Sequence, residues 1–160
     1  MGATDFDPNY AKAPRRIRNL LPTSPGVSAE RTTWQAGDTF ATARPEDALT
    51  TQVAEALRAH DLELDGALIL VRHRSGERGL PVSDSAAAFR FAIDLSDSPR
   101  PLNGGLLMFV SEDGRTHGWR AEIGALTVWN GEDPELTELA PGAPDRLTLV
   151  GQANPLPALP

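Results

Sequence analysis

Cysteine is absent from the 160 residues, and lysine occurs only once, as Lys12. Without cysteine the protein has no disulfide framework, no thiolate-ligated metal and no cysteine nucleophile. No apolar run approaches the ~20 residues that a membrane-spanning helix needs. The acidic start of the chain also lacks the basic-then-apolar profile of a secretory signal. We therefore expect a cytoplasmic protein without a membrane partner.

Positive charge is in short supply: the formal net charge is −7 and the isoelectric point is near 4.9. A field of this sign works against binding to a phosphate backbone, so we expect no nucleic-acid partner. The one basic cluster is formed by Arg15, Arg16 and Arg18. It has two interpretations, a solvated arm or a docking point for an acidic partner.

Glycine and proline are plentiful, with 14 residues of each. This favours many short elements joined by turns, and the chain length favours one domain. Prolines interrupt residues 1–30, which we predict to be an irregular leader. The domain is predicted to span residues 31–152, and the Pro-rich residues 153–160 are predicted to form an exposed tail.

One helix is predicted at about residues 45–59. Pro45 suits a first helical position, and Glu46 and Asp47 complement the positive end of the helix dipole. Leu49, Val53 and Leu57 recur at helical spacing together with Ala56 and form one apolar stripe.

Short strands are predicted to follow the helix, separated by turn residues at the spacing of a sandwich or a closed barrel. The clearest is residues 88–95, in which Phe89, Phe91 and Ile93 alternate with polar Arg90 and Asp94. The other predicted strands are residues 67–73, 105–110, 119–123, 125–130 and 146–151.

Five segments occur in an order that resembles the iron(II)/2-oxoglutarate-dependent oxygenases, specifically the prolyl-hydroxylase-like branch. The segments are VRHRSG (71–76), AIDLSD (92–97), NGGLLMF (103–109), GALTVW (124–129) and PGAPDRLTLVG (141–151). The resemblance implies a mainly β fold, a double-stranded β-helix or jelly roll, with the N-terminal helix packed on it.

The iron ligands of that family are missing from this sequence. The resemblance places a His-x-Asp pair near residues 81–84, which read Pro-Val-Ser-Asp, and a distal histidine near 133–136, which read Asp-Pro-Glu-Leu. Only Asp84 matches. Two histidines and a carboxylate are needed for such a site, so we expect neither a metal nor a cofactor. A rearranged metal site from His73, His117, Asp84 or Glu135 is the alternative.

Arg146 and Thr148 match the residues that grip the distal carboxylate of 2-oxoglutarate in the family. Both point to the same side of the predicted strand, and the planar fork of Arg146 suits a carboxylate. The competing interpretation pairs Arg146 with Asp145, Glu138 or Asp94 in a surface network. Further ligand-binding candidates are Arg90, His73 and the aromatic residues Trp129 and Trp119, for which core packing is the other interpretation.

These observations favour a non-catalytic binding protein on an oxygenase-like scaffold. Its expected ligand is a peptide or peptide-like substrate, and its expected partner is a peptide or tailoring enzyme of a biosynthetic pathway. The alternative is an enzyme, either metal-free (a cyclase or isomerase) or a divergent oxygenase with an atypical metal. Asp84, His73 and Glu135 are its candidate acids and bases. A homodimer formed through an edge strand is a further candidate, since truncation of the scaffold exposes edges that must be covered.

Overall fold

The described part of the chain forms two antiparallel β-sheets, and one helix packs on the outside of the larger sheet. The computed structural model describes residues 14–21, 32–82, 86–96, 103–110 and 116–157. In these ranges none of the helical structure is long and apolar enough to cross a membrane.

The described strands follow one another along the chain, with the helix inserted after the third strand. Their bounds are β1 Arg15–Ile17, β2 Gln35–Ala36, β3 Ala41–Ala43, β4 Leu62–His73, β5 Phe89–Asp94, β6 Leu107–Val110, β7 Thr116–Trp119, β8 Leu126–Trp129, β9 Glu135–Leu136 and β10 Arg146–Pro155. The helix α1, Asp47–Arg58, lies between β3 and β4.

The larger sheet has the order β1-β8-β5-β10-β4-β3-β2, and the smaller sheet has the order β7-β6-β9. From β4 onward the chain passes back and forth between them. β5, β8 and β10 lie in the larger sheet, whereas β6, β7 and β9 lie in the smaller one. This alternation confirms the predicted mainly β, double-stranded β-helix fold.

The helix has the apolar stripe that its sequence predicts. Leu49, Val53 and Leu57 are buried against the outer face of the larger sheet, where they meet Leu70 and Leu149. Asp47 in the first turn and Arg58 in the last complement the helix dipole. The sequence therefore predicts both the helix and the face that it buries.

Register explains why apolar residues collect on that outer face. Leu149 on β10 pairs with Leu70 on one side and with Ile93 on the other, so all three side chains point outward to the helix. The alternate residues point toward the smaller sheet. There a second apolar cluster joins Ala92 and Trp129 to Leu107, Phe109 and Leu136.

Three segments differ from the sequence-based expectations. Arg15–Ile17, inside the predicted irregular leader, form strand β1 because their backbone pairs with β8. The strand predicted at residues 119–123 lies earlier, at Thr116–Trp119, where the chain pairs with β6. β10 continues to Pro155 by pairing with β4, and so includes the first residues of the predicted tail.

Candidate binding cup

The inner face of the larger sheet carries polar side chains among its apolar ones, whereas the outer face that meets the helix is apolar. Arg146 pairs with His73 across β10 and β4, Thr148 pairs with Asp94 across β10 and β5, and Arg90 pairs with Trp129 across β5 and β8. Directly paired residues point to the same side of a sheet. The "cup" is defined here by these inward residues together with two that meet them: Arg16, His73, Arg90, Asp94, Trp119, Trp129, Arg146 and Thr148.

The cup thus brings together all six sequence-predicted ligand-binding residues. Five of them are the inward residues His73, Arg90, Trp129, Arg146 and Thr148 of the larger sheet. The sixth, Trp119, ends β7 in the smaller sheet and packs on the cluster of Phe109 and Trp129. Whether these residues bind a ligand stays a prediction.

A buried carboxylate lies at the centre of the cup. Asp94 Oδ1 accepts a hydrogen bond from Arg146 Nη2 at 2.9 Å, and Asp94 Oδ2 accepts one from Arg16 Nη2 at 3.3 Å. The Glu122 backbone amide donates to the same Oδ2 at 3.0 Å. Asp94 is 1% exposed, so this carboxylate depends on protein donors rather than water.

Burial raises the pKa of the Asp94 carboxyl, whereas Arg146, the Glu122 amide and Arg16 lower it. Burial also lowers the pKa of both guanidinium groups. A guanidinium stays charged in proteins. The ionised carboxylate is therefore the form that both arginines and the amide stabilise.

Arg146 is buried and bound within the chain. Besides Asp94, its Nε donates to Thr148 Oγ1 at 3.3 Å and its Nη1 donates to the Gly105 carbonyl. Of the partners in the competing interpretation, Asp94 does pair with Arg146. This pair is not part of a surface network, since Arg146 is only 3% exposed. A ligand carboxylate at Arg146 would have to compete with Asp94.

In the basic cluster of Arg15, Arg16 and Arg18, Arg16 and Arg18 point to different environments. Arg16 points inward, where it also donates to Thr127 Oγ1 at 3.1 Å and to the Arg120 carbonyl at 2.7 Å. Arg18 is exposed and pairs with Glu122. The acidic group that Arg16 meets thus belongs to the same chain.

His73 is fully buried at the end of β4, beside Arg146. Its Nε2 lies 2.7 Å from the Gly79 carbonyl, which can only accept, so Nε2 carries the proton. The pKa of His73 is lowered to about 4, mainly by burial and also by Arg146, while the bond to the Gly79 carbonyl and the charge of Glu77 oppose the shift. The neutral imidazole leaves Nδ1 buried with no hydrogen-bond partner among the described residues.

Arg90 lies at another edge of the cup and contacts two loops. Its Nη1 donates to Asp133 Oδ2 and its Nη2 donates to the Pro81 carbonyl at 3.1 Å. The other oxygen of Asp133 accepts from Trp129 Nε1 at 3.0 Å. Arg90, Asp133 and Trp129 therefore form one connected polar group.

Aromatic side chains form the wall between the two sheets. Phe109 makes edge-to-face contacts with Trp119 and Trp129, with ring centroids 5.7 and 5.6 Å apart. The Arg16 guanidinium lies 5.4 Å from the centroid of Trp119. This arrangement is favourable for stacking and for cation–π attraction.

Among the described residues at the two expected metal-ligand positions, none presents an imidazole or an unengaged carboxylate toward the cup. Val82 has an apolar side chain that is 89% exposed. On β9 the inward position is Leu136, packed with Leu107 and Phe109, while Glu135 is exposed. Asp133 is engaged by Arg90 and Trp129. Asp84 lies outside the described residues.

The rearranged metal site is not assembled in the described residues either. His117 pairs with Phe109 and Glu135 pairs with Met108 on opposite faces of β6, and His73 is bonded to Gly79 in the larger sheet. Within the described ranges, no three histidine or carboxylate side chains form a group that could hold a metal ion.

Sequence reasoning did not identify the cup residues Arg16 and Asp94, nor Asp133, which contacts the cup residues Arg90 and Trp129. The sequence contains a signal for Asp94. It lies on the same side of β5 as Arg90, opposite to the side of Phe91 and Ile93. Arg16 and Asp133 had none, since a short edge strand and a loop position them from far along the chain.

No family model and no curated protein matches this chain. Solved structures that resemble it over most of its length include the following three. A prolyl-4-hydroxylase from Pseudomonas putida is 18% identical, with a TM-score of 0.63, 98% of this chain covered and 100% of that chain. HygX from Streptomyces hygroscopicus, with nickel and 2-oxoglutarate bound, is 12% identical, with a TM-score of 0.57 and coverages of 90% and 83%.

The viral collagen prolyl hydroxylase vCPH from Paramecium Bursaria Chlorella virus-1, in complex with 2OG, is 9% identical, with a TM-score of 0.51 and coverages of 90% and 96%. Identities this low establish the fold and leave the activity open. The chain has the double-stranded β-helix fold of prolyl hydroxylases and related 2-oxoglutarate oxygenases.

Proposed function

We propose that this chain is a non-catalytic binding protein on an oxygenase-like scaffold. Its cup would take up an acidic, peptide-like ligand for a biosynthetic or tailoring pathway. The observation that carries the proposal is the charge of the cup. Within the buried and partly buried ion pairs of the cup, three arginines, Arg16, Arg90 and Arg146, contact two carboxylates, Asp94 and Asp133, so these pairs contain one more cation than anion beside an aromatic wall.

That excess charge stands out against the rest of the molecule, whose net charge is −7. A cluster of cationic side chains between low-dielectric walls attracts anions even when the protein as a whole repels them. Arg16 and Arg90 keep 10% and 14% of their side chains exposed, more than the 3% of Arg146. We therefore assign the acidic group of the ligand to Arg16 or Arg90 rather than to Arg146.

A peptide is favoured over a small anion because a strand with one edge unpaired among the described residues borders the cup. β7 is an edge strand of the smaller sheet, and its first residues Thr116, His117 and Gly118 are exposed. Extended peptides bind to such edges by strand addition. A peptide paired with β7 would lead toward Trp119, which ends the strand, and toward Arg16, which stacks on Trp119.

Tryptophan fluorescence and calorimetry test this proposal directly. Acidic peptides, starting with any encoded or modified by neighbouring genes, are compared with otherwise identical peptides in which glutamine replaces glutamate. We expect the acidic peptides to bind at least tenfold more tightly, a preference that weakens with added salt. Trp119→Phe should weaken binding, whereas the matched control Trp34→Phe, on the outer face of the larger sheet, should not.

Equal binding of the acidic and neutral peptides would contradict the proposal, as would equal effects of the two tryptophan variants. Pairing of β7 with a second copy of the chain is the competing use of that edge. Sedimentation would reveal it as a dimer that dissociates when peptide is added.

A metal-free cyclase or isomerase is the second candidate, and His73 favours it. Its Nδ1 lone pair is buried without a partner among the described residues, as an unused base would be. However, burial lowers the pKa of His73 to about 4, and a base of that strength is poorly matched to neutral pH. Turnover of a bound peptide that is lost in His73→Gln would favour this candidate over simple binding.

A further inference from the structure

Arg90 joins the two segments in which the resemblance places the ligands of a metal ion. On one side its Nη2 donates to the carbonyl of Pro81, at 3.1 Å, in the segment 81–84, of which the structure describes Pro81 and Val82. On the other side its Nη1 donates to Asp133, in the segment 133–136. One cationic group therefore contacts both segments at once.

The carboxylate of Asp133 is engaged through both of its oxygens. Oδ2 accepts from Arg90, and Oδ1 accepts from Trp129 Nε1. Arg90 itself is mostly buried, and its Nε has no partner among the described residues. A divalent ion placed between these segments would meet the fixed positive charge of Arg90, and like charges repel.

We propose that Arg90 takes the place of a metal ion at this end of the cup. Its guanidinium supplies the positive charge that holds the segments at Pro81 and Asp133 together. A planar guanidinium is suited to this role because it donates in several directions and never loses its charge. Folding and ligand binding at this end should then be independent of divalent metals.

The test asks whether removing the guanidinium opens the position to a metal. Val82→His adds an imidazole donor next to Pro81, at a side chain that is 89% exposed. In that background Arg90→Gln releases Asp133 Oδ2 from its ion pair while Oδ1 still accepts from Trp129, so that the new imidazole and one carboxylate oxygen become available together as metal ligands. Two controls complete the set: Arg90→Lys keeps a positive charge, and Arg72→Gln removes an arginine that stacks on Trp34 on the outer face of the sheet.

Nickel is the probe, because imidazole and carboxylate both bind it. Binding of Ni²⁺ to tag-free, EDTA-treated protein is measured by calorimetry, with circular dichroism confirming that each variant is folded. We expect the Val82→His, Arg90→Gln protein to bind Ni²⁺ at least tenfold more tightly than Val82→His alone. The Arg90→Lys and Arg72→Gln versions should show no such gain.

The proposal is overturned if the Val82→His, Arg90→Gln protein binds Ni²⁺ no more tightly than Val82→His alone. It is also overturned if Val82→His, Arg90→Lys shows the same gain as Val82→His, Arg90→Gln, because the positive charge would then not be what excludes the metal. Should Arg90→Gln fail to fold, Arg90→Met, which keeps the aliphatic stem, replaces it under the same criteria. No peptide enters this experiment, so its outcome is separate from that of the proposed binding function.

Discussion

Arg146 on β10 and Asp94 on β5 form an ion pair at 2.9 Å, with side chains that are 3% and 1% exposed. Arg16 from β1 contacts the second oxygen of the same carboxylate. Three strands of one sheet are thus linked through a single buried group. Breaking a buried pair costs more than the pair contributes, since it leaves an uncompensated charge in the protein.

Asp94→Asn should therefore destabilise the protein strongly. The substitution keeps the shape of the side chain but leaves two buried guanidinium groups without their counter-charge. We expect the free energy of unfolding to fall by about 3–5 kcal/mol, measured by urea denaturation. Asp47→Asn, which removes a carboxylate from an exposed pair with Arg44, should change little. Similar losses from the two substitutions would contradict the assigned role of Asp94.

Arg16 and Arg18 provide a matched comparison within one short segment. Arg16→Ala removes hydrogen bonds to Asp94, Thr127 and the Arg120 carbonyl, and also the contact with Trp119. We expect it to lower the free energy of unfolding by about 2 kcal/mol, the scale of hydrogen bonds to charged groups. Arg18→Ala removes only an exposed pair and should cost about 0.5 kcal/mol or less.

Denaturation of the two variants under the same conditions makes the comparison. If Arg16→Ala were as stable as Arg18→Ala, the N-terminal cluster would be a solvated arm after all. A shift in Trp emission is also expected for Arg16→Ala alone, since its guanidinium lies over Trp119.

His73 makes stability depend on pH in a defined window. The ordinary pKa of histidine is about 6.5, and that of buried His73 is about 4. Between these values the unfolded chain binds a proton that the folded chain does not, so stability is complete above pH ~6.5 and is lost as pH falls toward 4. At ~1.4 kcal/mol per pKa unit, the loss reaches about 2 kcal/mol at pH 5.

The measurement is urea denaturation at several pH values between 8 and 5. His73→Gln should flatten the pH dependence by that amount, whatever its effect on stability at pH 8. His117→Gln, at an exposed position of β7, should leave the profile as it is in the parent protein. An unchanged profile in His73→Gln would mean that the imidazole is not buried in its neutral form.

Gly151 is required by close packing rather than by backbone conformation. A Cβ at this position would lie 2.7 Å from Leu68 Cδ2 and 2.7 Å from Phe91 Cζ. Because both side chains belong to the buried core, Gly151→Ala should lower the free energy of unfolding by about 1–3 kcal/mol. Adding Phe91→Leu should recover part of that loss, which a double-mutant cycle measures. Strict additivity of the two substitutions would contradict a direct clash.

Much of the fold is predictable from the sequence for reasons that are local. The helix follows from the spacing of Leu49, Val53 and Leu57, and β5 follows from the alternation of Phe89, Phe91 and Ile93 with polar neighbours. Strand ends are predicted less well, because they depend on where a partner strand stops. β7 illustrates this, since its pairing with β6 begins at Thr116, before the predicted start.

The candidate site is predicted in part. Alternation along β5 and β10 is enough to put Arg90 on one side of its strand and Arg146 with Thr148 on one side of theirs. Which side lies against the helix and which faces the smaller sheet depends on how the sheets pack. Only the folded chain brings Arg16 and Asp133, remote in sequence, to Asp94 and Arg90.

Composition and short-range pattern are enough to establish the lack of thiol chemistry, the alternating strands and the N-terminal helix. These properties depend on which residues are present and on the periodicity of side chains along one strand or helix. It took the packed sheets to show that Arg16 of the basic cluster holds Asp94 and that Arg90 bridges Pro81 and Asp133. Such contacts join residues far apart in the chain, and strand register and sheet packing are what bring their side chains within hydrogen-bonding distance.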